Sequence, residues 1–134
     1  MDLVARKMMD GGEAASNLLD EIEEQAEHAR ATMPDLAGPV WEATETLREA
    51  TEWLVAQDDM NDRFAGATAY LLAFARVLGG HYHLSAALAD PDGPRAKLAR
   101  YYINALLPEH SGLLARVQSG ADDLFSLSPD ELAA

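Results

Sequence analysis

The chain reads as all-α: an antiparallel four-helix bundle with a long central helix and short helical pieces at both ends. Three observations predict this. Ala and Leu dominate a sequence that is 49% hydrophobic and 25% charged, with aromatics at only 7% and few Val or Ile, a composition that favours helix. Apolar residues return at steps of three and four through four separate stretches. The connections between those stretches are short and carry Pro, Gly, Asp and Asn, so successive helices should run antiparallel. At 134 residues the chain is long enough for one domain with a real core.

Taken in order, residues 1–9 form a short helical piece that Asp10-Gly11-Gly12 breaks. Asp10 and Glu13 have the spacing of a capping box. The first long helix is expected from about Gly12 to Arg30, with Ala15, Leu18, Leu19, Ile22, Ala26 and Ala29 inward and Glu13, Asp20, Glu24 and Glu27 outward. Thr32-Met33-Pro34-Asp35 reads as a turn. The second helix should begin at Pro39 with Gly38 as its cap and run to about Gln57. Val40, Ala43, Leu47, Ala50 and Leu54 face in, and Glu42, Glu45, Glu49 and Glu52 face out. Burying the apolar side, at roughly 1.5–3 kcal/mol per large side chain, outweighs the few tenths of a kcal/mol that each like-charge i,i+4 pair costs.

Asp58-Asp59-Met60-Asn61 is a connection rich in N-cap residues. The helix over 61–90 then organises the rest. Phe64, Ala67, Leu71, Phe74 or Ala75, Leu78 and Tyr82 mark one face. The other carries Thr68, Leu72, Val77 and Leu84, so the helix should be central, with others packed around it. Gly79-Gly80 inside it implies either a close neighbouring helix or a kink. Asp90-Pro91-Asp92-Gly93 is the strongest turn. Pro94 starts the fourth helix, with Leu98, Tyr101, Tyr102, Ala105 and Leu106 expected inward. A kinked but continuous course passes Pro108 and continues through Leu113, Leu114, Val117, Ala121, Leu124 and Phe125. Ser128-Pro129 caps a last short turn, and the final alanines fray.

The absence of cysteine removes disulfides, thiolate catalysis and zinc–sulfur sites and fits a cytoplasmic protein. The sequence has no run of the length that spans a membrane, and residues 1–10 lack the apolar core of a signal peptide. Net charge is −13, with 16 Asp/Glu against 4 Lys/Arg in residues 1–62 and 7 against 6 in residues 63–134. Neither half attracts a phosphate backbone or an anionic membrane, so no nucleic-acid or membrane partner is expected.

Few residues suggest chemistry. His81 and His83 are two apart, and on a helix they point about 200° away from each other, which prevents them from sharing a metal ion. They are read as partly exposed histidines flanking Tyr82. No Glu stands three residues before His28, His81, His83 or His110, so the Glu-x-x-His pairs of di-iron bundles are absent. Trp41 and Trp53 are read as core, and an exposed one would mark an interface. Tyr101 and Tyr102 with Arg100 and Lys97 could hold an anion, but aromatic packing with solubilising charge around it is the plainer reading. No phosphate loop, dinucleotide fingerprint or nucleophile–base pair is present. No catalytic, cofactor-binding or metal residue is assigned.

The motif Ala65-Gly66-Ala67-x-x-Tyr70-Leu71-x-x-Phe74, then Gly79-Gly80 and Ala86-Ala87-Leu88-Ala89, resembles the C-terminal helical extension of a branch of the acyl-CoA dehydrogenases that includes 3-methylmercaptopropionyl-CoA dehydrogenase. Ala43-Thr44 through Thr51-Glu52-Trp53-Leu54 is similar to the helix before it. Lys97-Leu98-Ala99-Arg100-Tyr101-Tyr102 with Leu107-Pro108 is similar to the helix after it. Leu3-Val4-x-Arg6-Lys7 and Asp10-Gly11-Gly12 resemble the segment leaving the catalytic domain. Ala75 stands where a glycine is common in that pattern, and His81-Tyr82-His83 where an aromatic and long aliphatics are usual. The resemblance implies that residues 1–11 are the end of that segment and 12–134 an accessory helical domain. It also implies that the parent enzyme uses FAD and a glutamate base upstream of Leu3 to dehydrogenate an acyl-CoA thioester. The chain alone would then be inactive and hold no cofactor, with the catalytic domain as partner and homo-oligomerisation expected. The rival reading is a free-standing helical interaction or self-association module without activity.

Overall fold

A computed structural model of the chain describes residues 12–56, 66–118 and 130–131. Helix α1 is Glu13–Ala29, α2 is Pro34–Ala56 and α3 is Ala67–Ala89. The fourth course is made of α4, Pro94–Tyr101, a π turn, Tyr102–Leu106, a 3-10 turn, Leu107–Glu109, and α5, His110–Gln118. No strand occurs among the described residues, so the chain is the all-α bundle expected. Residue pairs running in opposite senses make each successive pair of helices antiparallel. Gly12 lies against Val55 and Arg30 beside Trp41, Gly80 lies against Val40 while Tyr70 meets Thr51, and Gly66 lies against Val117 while His83 stacks on Tyr102. Helices α2 and α3 pack across the middle, with α1 on one side and the fourth course on the other.

The first two helices bury the residues expected of them. In α1 these are Ala15, Leu19, Ile22, Ala26 and Ala29, with Leu18 half-buried. In α2 Val40, Ala43, Leu47, Ala50 and Leu54 are all at 0% exposure. The starts differ from expectation. Gly12, at φ 77, is the N-cap of α1, a left-handed conformation natural to glycine, while Asp10 lies outside the described residues. Helix α2 starts five residues early, at Pro34, and Pro39 lies inside it. Pro34 suits a first helical turn, where its missing N–H leaves no bond unmade. Met33, whose carbonyl accepts from the N–H groups of Leu36 and Ala37, stands where the turn was expected. Pro39 is tolerated because Gly38 has no Cβ to meet the proline ring.

Two inward faces differ from expectation. On α3 the buried residues are Ala67, Ala69, Tyr70, Ala73, Phe74, Val77, Gly80, Leu84 and Ala87, whereas Leu71 and Leu78 are half-buried and Ala75 and Tyr82 face out. A helix apolar on nearly every side offers periodicity no contrast from which to choose a face. Phe64 lies outside the described residues. On the fourth course Ala96, Ala99, Ile103 and Leu107 are buried. Leu98, Tyr101 and Ala105 are exposed, and Tyr102 and Leu106 are half-buried. Bulk is a poor guide here, since the close contact is made by alanines. The passage of Pro108 is continuous, as expected. The chain widens into the π turn, where the Leu107 N–H bonds back to the Tyr102 carbonyl, and tightens into the 3-10 turn that carries Pro108, a geometry that accommodates a residue without an N–H. Leu113, Leu114 and Val117 then return to the core; Ala121, Leu124, Phe125 and Ser128 lie outside the described residues.

Gly79-Gly80 marks a close approach within one continuous helix. A Cβ on Gly79 would collide with the Tyr102 hydroxyl and lie 2.7 Å from its ring, and one on Gly80 would lie 3.4 Å from Leu107. The turn at Asp90-Pro91-Asp92-Gly93 closes with Gly93 N–H donating to the Asp90 carbonyl at 3.2 Å.

Candidate functional site

Charged side chains gather at the seam between α1 and α2. Arg48, only 18% exposed at its side chain, lies 2.8 Å from Asp20 and 3.3 Å from Glu23, with Glu45 at 3.8 Å; it also donates to Ser16. Burial raises the pKa of Glu23, and a hydrogen bond shared with Glu45 adds to this, while Arg48 pulls it down. Arg48 borders a cleft of about 340 Å³ with Gly12, Ser16, Leu19, Thr51, Glu52 and Val55. Its charge is engaged by three carboxylates, so it is not available to an anionic ligand in that cleft.

Beneath this seam sits a polar contact that hydrophobic patterning passes over. The Thr51 hydroxyl is 2.7 Å from that of Tyr70 and also donates to the Leu47 carbonyl at 2.8 Å. Thr44 bonds the Val40 carbonyl in the same way. Both threonines are buried, and each satisfies itself within its helix. Burial raises the pKa of Tyr70. The sequence signal was Thr44 and Thr51 standing in the apolar stripe of α2.

A second polar seam joins α1 to α3. Gln25 donates to Ser85, while Gln25 Oε1 and His81 Nδ1 are buried without a hydrogen-bond partner. Burial lowers the pKa of His81, and Glu21 opposes this. His83 faces the other way and stacks on Tyr102 with ring centroids 4.5 Å apart. The two histidines thus diverge as their spacing required. His110, also with a buried unpartnered Nδ1, lines a cleft between α2 and the fourth course with Pro39, Glu42, Thr46 and Ile103. His28 lies apart, beside Met33 and Leu88.

The other candidates do not converge. Trp41 and Trp53 are half-buried against the core, with the Arg30 guanidinium 5.8 Å from the Trp41 ring centre. Tyr102 lies over Gly79 and donates to the Arg76 carbonyl at 2.8 Å. Tyr101 points outward, Lys97 is exposed, and Arg100 is paired with Asp35 at 2.6 Å. Arg76 is paired with Glu109 at 2.8 Å. Among the described residues no three His, Asp or Glu side chains are placed to hold a metal ion, and no helix is long and apolar enough to cross a membrane.

The described residues thus form an all-α bundle in which Arg48, Arg76 and Arg100 are matched by carboxylates and the histidines are dispersed. The chain belongs to the family described as acetyl-CoA dehydrogenase C-terminal like, whose model matches residues 18–128. Comparison with the curated proteins found no match, and comparison with the solved structures found none.

Proposed function

We propose that this chain is the C-terminal accessory domain of an FAD-dependent acyl-CoA dehydrogenase of the 3-methylmercaptopropionyl-CoA dehydrogenase-like branch, acting by packing on the flavin-binding catalytic domain or its dimer mate. The observation that carries the reading is the family match over 18–128. In this reading residues 1–11 belong to the segment leaving the catalytic domain, 12–134 form the helical domain, and the setting is cytoplasmic. In this reading FAD is held mostly by the catalytic domain; among the described residues Arg48, Arg76 and Arg100 each face a carboxylate within 2.8 Å, so their charge is engaged and not offered to a pyrophosphate. Proton abstraction and hydride transfer are therefore assigned to the partner domain, and this domain supplies surface.

The test is co-expression with the flavoprotein encoded nearest in the genome, followed by affinity capture through this chain. A captured protein with a flavin spectrum and acyl-CoA dehydrogenase activity is the expected result. A genome with no such flavoprotein nearby, together with no flavin in the captured fraction, overturns the reading.

A further inference from the structure

Two prolines that lie within helical courses, Pro39 and Pro108, line the same cleft between α2 and the fourth course. Proline has no N–H, so each leaves the carbonyl four residues earlier without its helical donor. Those carbonyls belong to Asp35 and Asn104. The π turn frees a third, because the Leu107 N–H bonds to the Tyr102 carbonyl and not to that of Ile103. Helix carbonyls point towards the C-terminus, so the three open towards the prolines. A carbonyl left this way takes a donor from elsewhere.

The side chains of the cleft add acceptors. Glu42 stands exposed at the rim and ion-pairs with no cation among the described residues; Arg30, Arg48, Arg76 and Arg100 are each engaged with other carboxylates. The Thr46 hydroxyl donates its proton to the Glu42 carbonyl at 2.9 Å, which leaves its oxygen to accept. Behind the lining, His110 Nδ1 is buried without a partner. Burial lowers the pKa of His110, so its ring is uncharged at neutral pH and repels no cation. Ile103 and Leu107 complete an apolar floor with the prolines, and the volume is about 310 Å³, the low end of ligand pockets. A cleft rich in acceptors, with an apolar floor and an unmatched carboxylate, is complementary to a donor-rich cation on an aliphatic stem.

We propose that this cleft is the docking site for an arginine side chain of a partner chain, its guanidinium on Glu42 and the freed carbonyls and its stem on Ile103 and Leu107. Charge selects a cation, since the chain carries −13 and draws positive groups towards it. The number of acceptors selects arginine over lysine. A guanidinium offers five N–H donors in a planar fork and sheds water more readily than an ammonium, and its stem packs on apolar surface while the head meets the carboxylate.

Backbone amide shifts of the 134-residue chain, followed during titration with N-acetyl-arginine amide, test this. The expected result is saturable movement at Glu42, Thr46, Ile103 and Ser111, with a dissociation constant in the millimolar range for so small a probe. N-acetyl-citrulline amide, the same shape without charge, should move none of them at equal concentration. Glu42→Gln should weaken the arginine probe about tenfold or more. Helicity should be unchanged, because residue 42 is exposed. Glu49→Gln removes the same charge about 10 Å further along α2, beyond a Debye length at physiological salt, and should leave the affinity in place. Absence of saturable shifts overturns the proposal. So does equal binding of the citrulline compound, or of N-acetyl-lysine amide, or an equal loss from Glu49→Gln, which would reduce the effect to general attraction by the acidic face. No flavoprotein enters this test, so its failure leaves the proposed function standing, and failure to capture a flavoprotein leaves the cleft standing.

Discussion

Across the seam between α1 and α2, Arg48 meets Asp20, Glu23 and Glu45. Across the seam between α3 and the fourth course, a tyrosine lies in the hollow of a glycine, with one ion pair, Arg76 to Glu109, at the rim. The first seam is bordered by exposed glutamates and suits water. The second is closed by shape, and its outer surface is apolar. Helix α3 is far more apolar than α1 and carries a single charged residue in 23 positions, because it packs against α1, α2 and the fourth course at once, so among these three helices acid is confined to α1 and α2.

The contrast breaks first at Gly79. Replacing glycine by alanine inside an exposed helix ordinarily gains up to about 1 kcal/mol. At Gly79 the new methyl would run into the Tyr102 hydroxyl and lie 2.7 Å from its ring, so Gly79→Ala should cost about 1–3 kcal/mol through overpacking. A Cβ on Gly112 in α5 would meet nothing within 4 Å, and Gly112→Ala should gain about 0.5–1 kcal/mol. Urea titrations of the two variants should move in opposite directions, and Tyr102→Ala should cancel most of the Gly79→Ala loss. Equal gains at both sites would show that the seam is not closed by this contact.

The legibility of the sequence follows the same division. On α1 and α2 the expected inner residues are buried, Leu18 only partly, because acid on one side and Ala, Leu and Val on the other mark the faces; Leu36, Ala37, Thr44 and Thr51 are buried as well and were not expected. The order of four helices, the turn before Pro94 and the continuous passage of Pro108 were also readable. The exposed face was not. On α3 both faces are apolar, and on α4 the large residues Leu98 and Tyr101 point out while Ala96 and Ala99 point in. Counting hydrophobicity weights bulk over fit. The start of α2 was missed because Gly38-Pro39 imitates a helix start, and the glycine is what lets the proline lie within a helix. The contact partner of Thr51 was beyond reach, because a hydrogen bond to Tyr70 depends on how α3 is rotated about its axis.

The next effect in size belongs to the charged seam. Arg48→Met keeps the stem that packs between the helices but leaves three carboxylates facing one another. A charge-assisted network of this exposure is worth about 1–2 kcal/mol, and that is the loss expected in urea titration at low salt. The loss should shrink in high salt, which screens the remaining repulsion. Gly79→Ala should show no such dependence. A salt-insensitive Arg48→Met would mean that the side chain acts by packing alone, and the distinction between the seams would fail.

The smallest effect sharpens the comparison through its sign. Burial lowers the pKa of His81 and of His110 from 6.5, so as pH falls through 6.5 the unfolded chain takes up protons before the folded one. Stability then declines with falling pH over the interval below 6.5 down to the folded values. Burial raises the pKa of Glu23 above 4.5. There the folded chain takes up the proton first, so stability rises as pH falls from above that raised value towards 4.5. The α1–α3 seam should weaken on mild acidification while the α1–α2 seam strengthens. Thermal melts at a series of pH values should separate the two: His81→Gln should remove part of the decline below 6.5, and Glu23→Gln should remove the gain nearer 4.5. Both variants leaving the profile unchanged would place the pH response in the exposed acidic faces, where it would follow net charge and not the two seams.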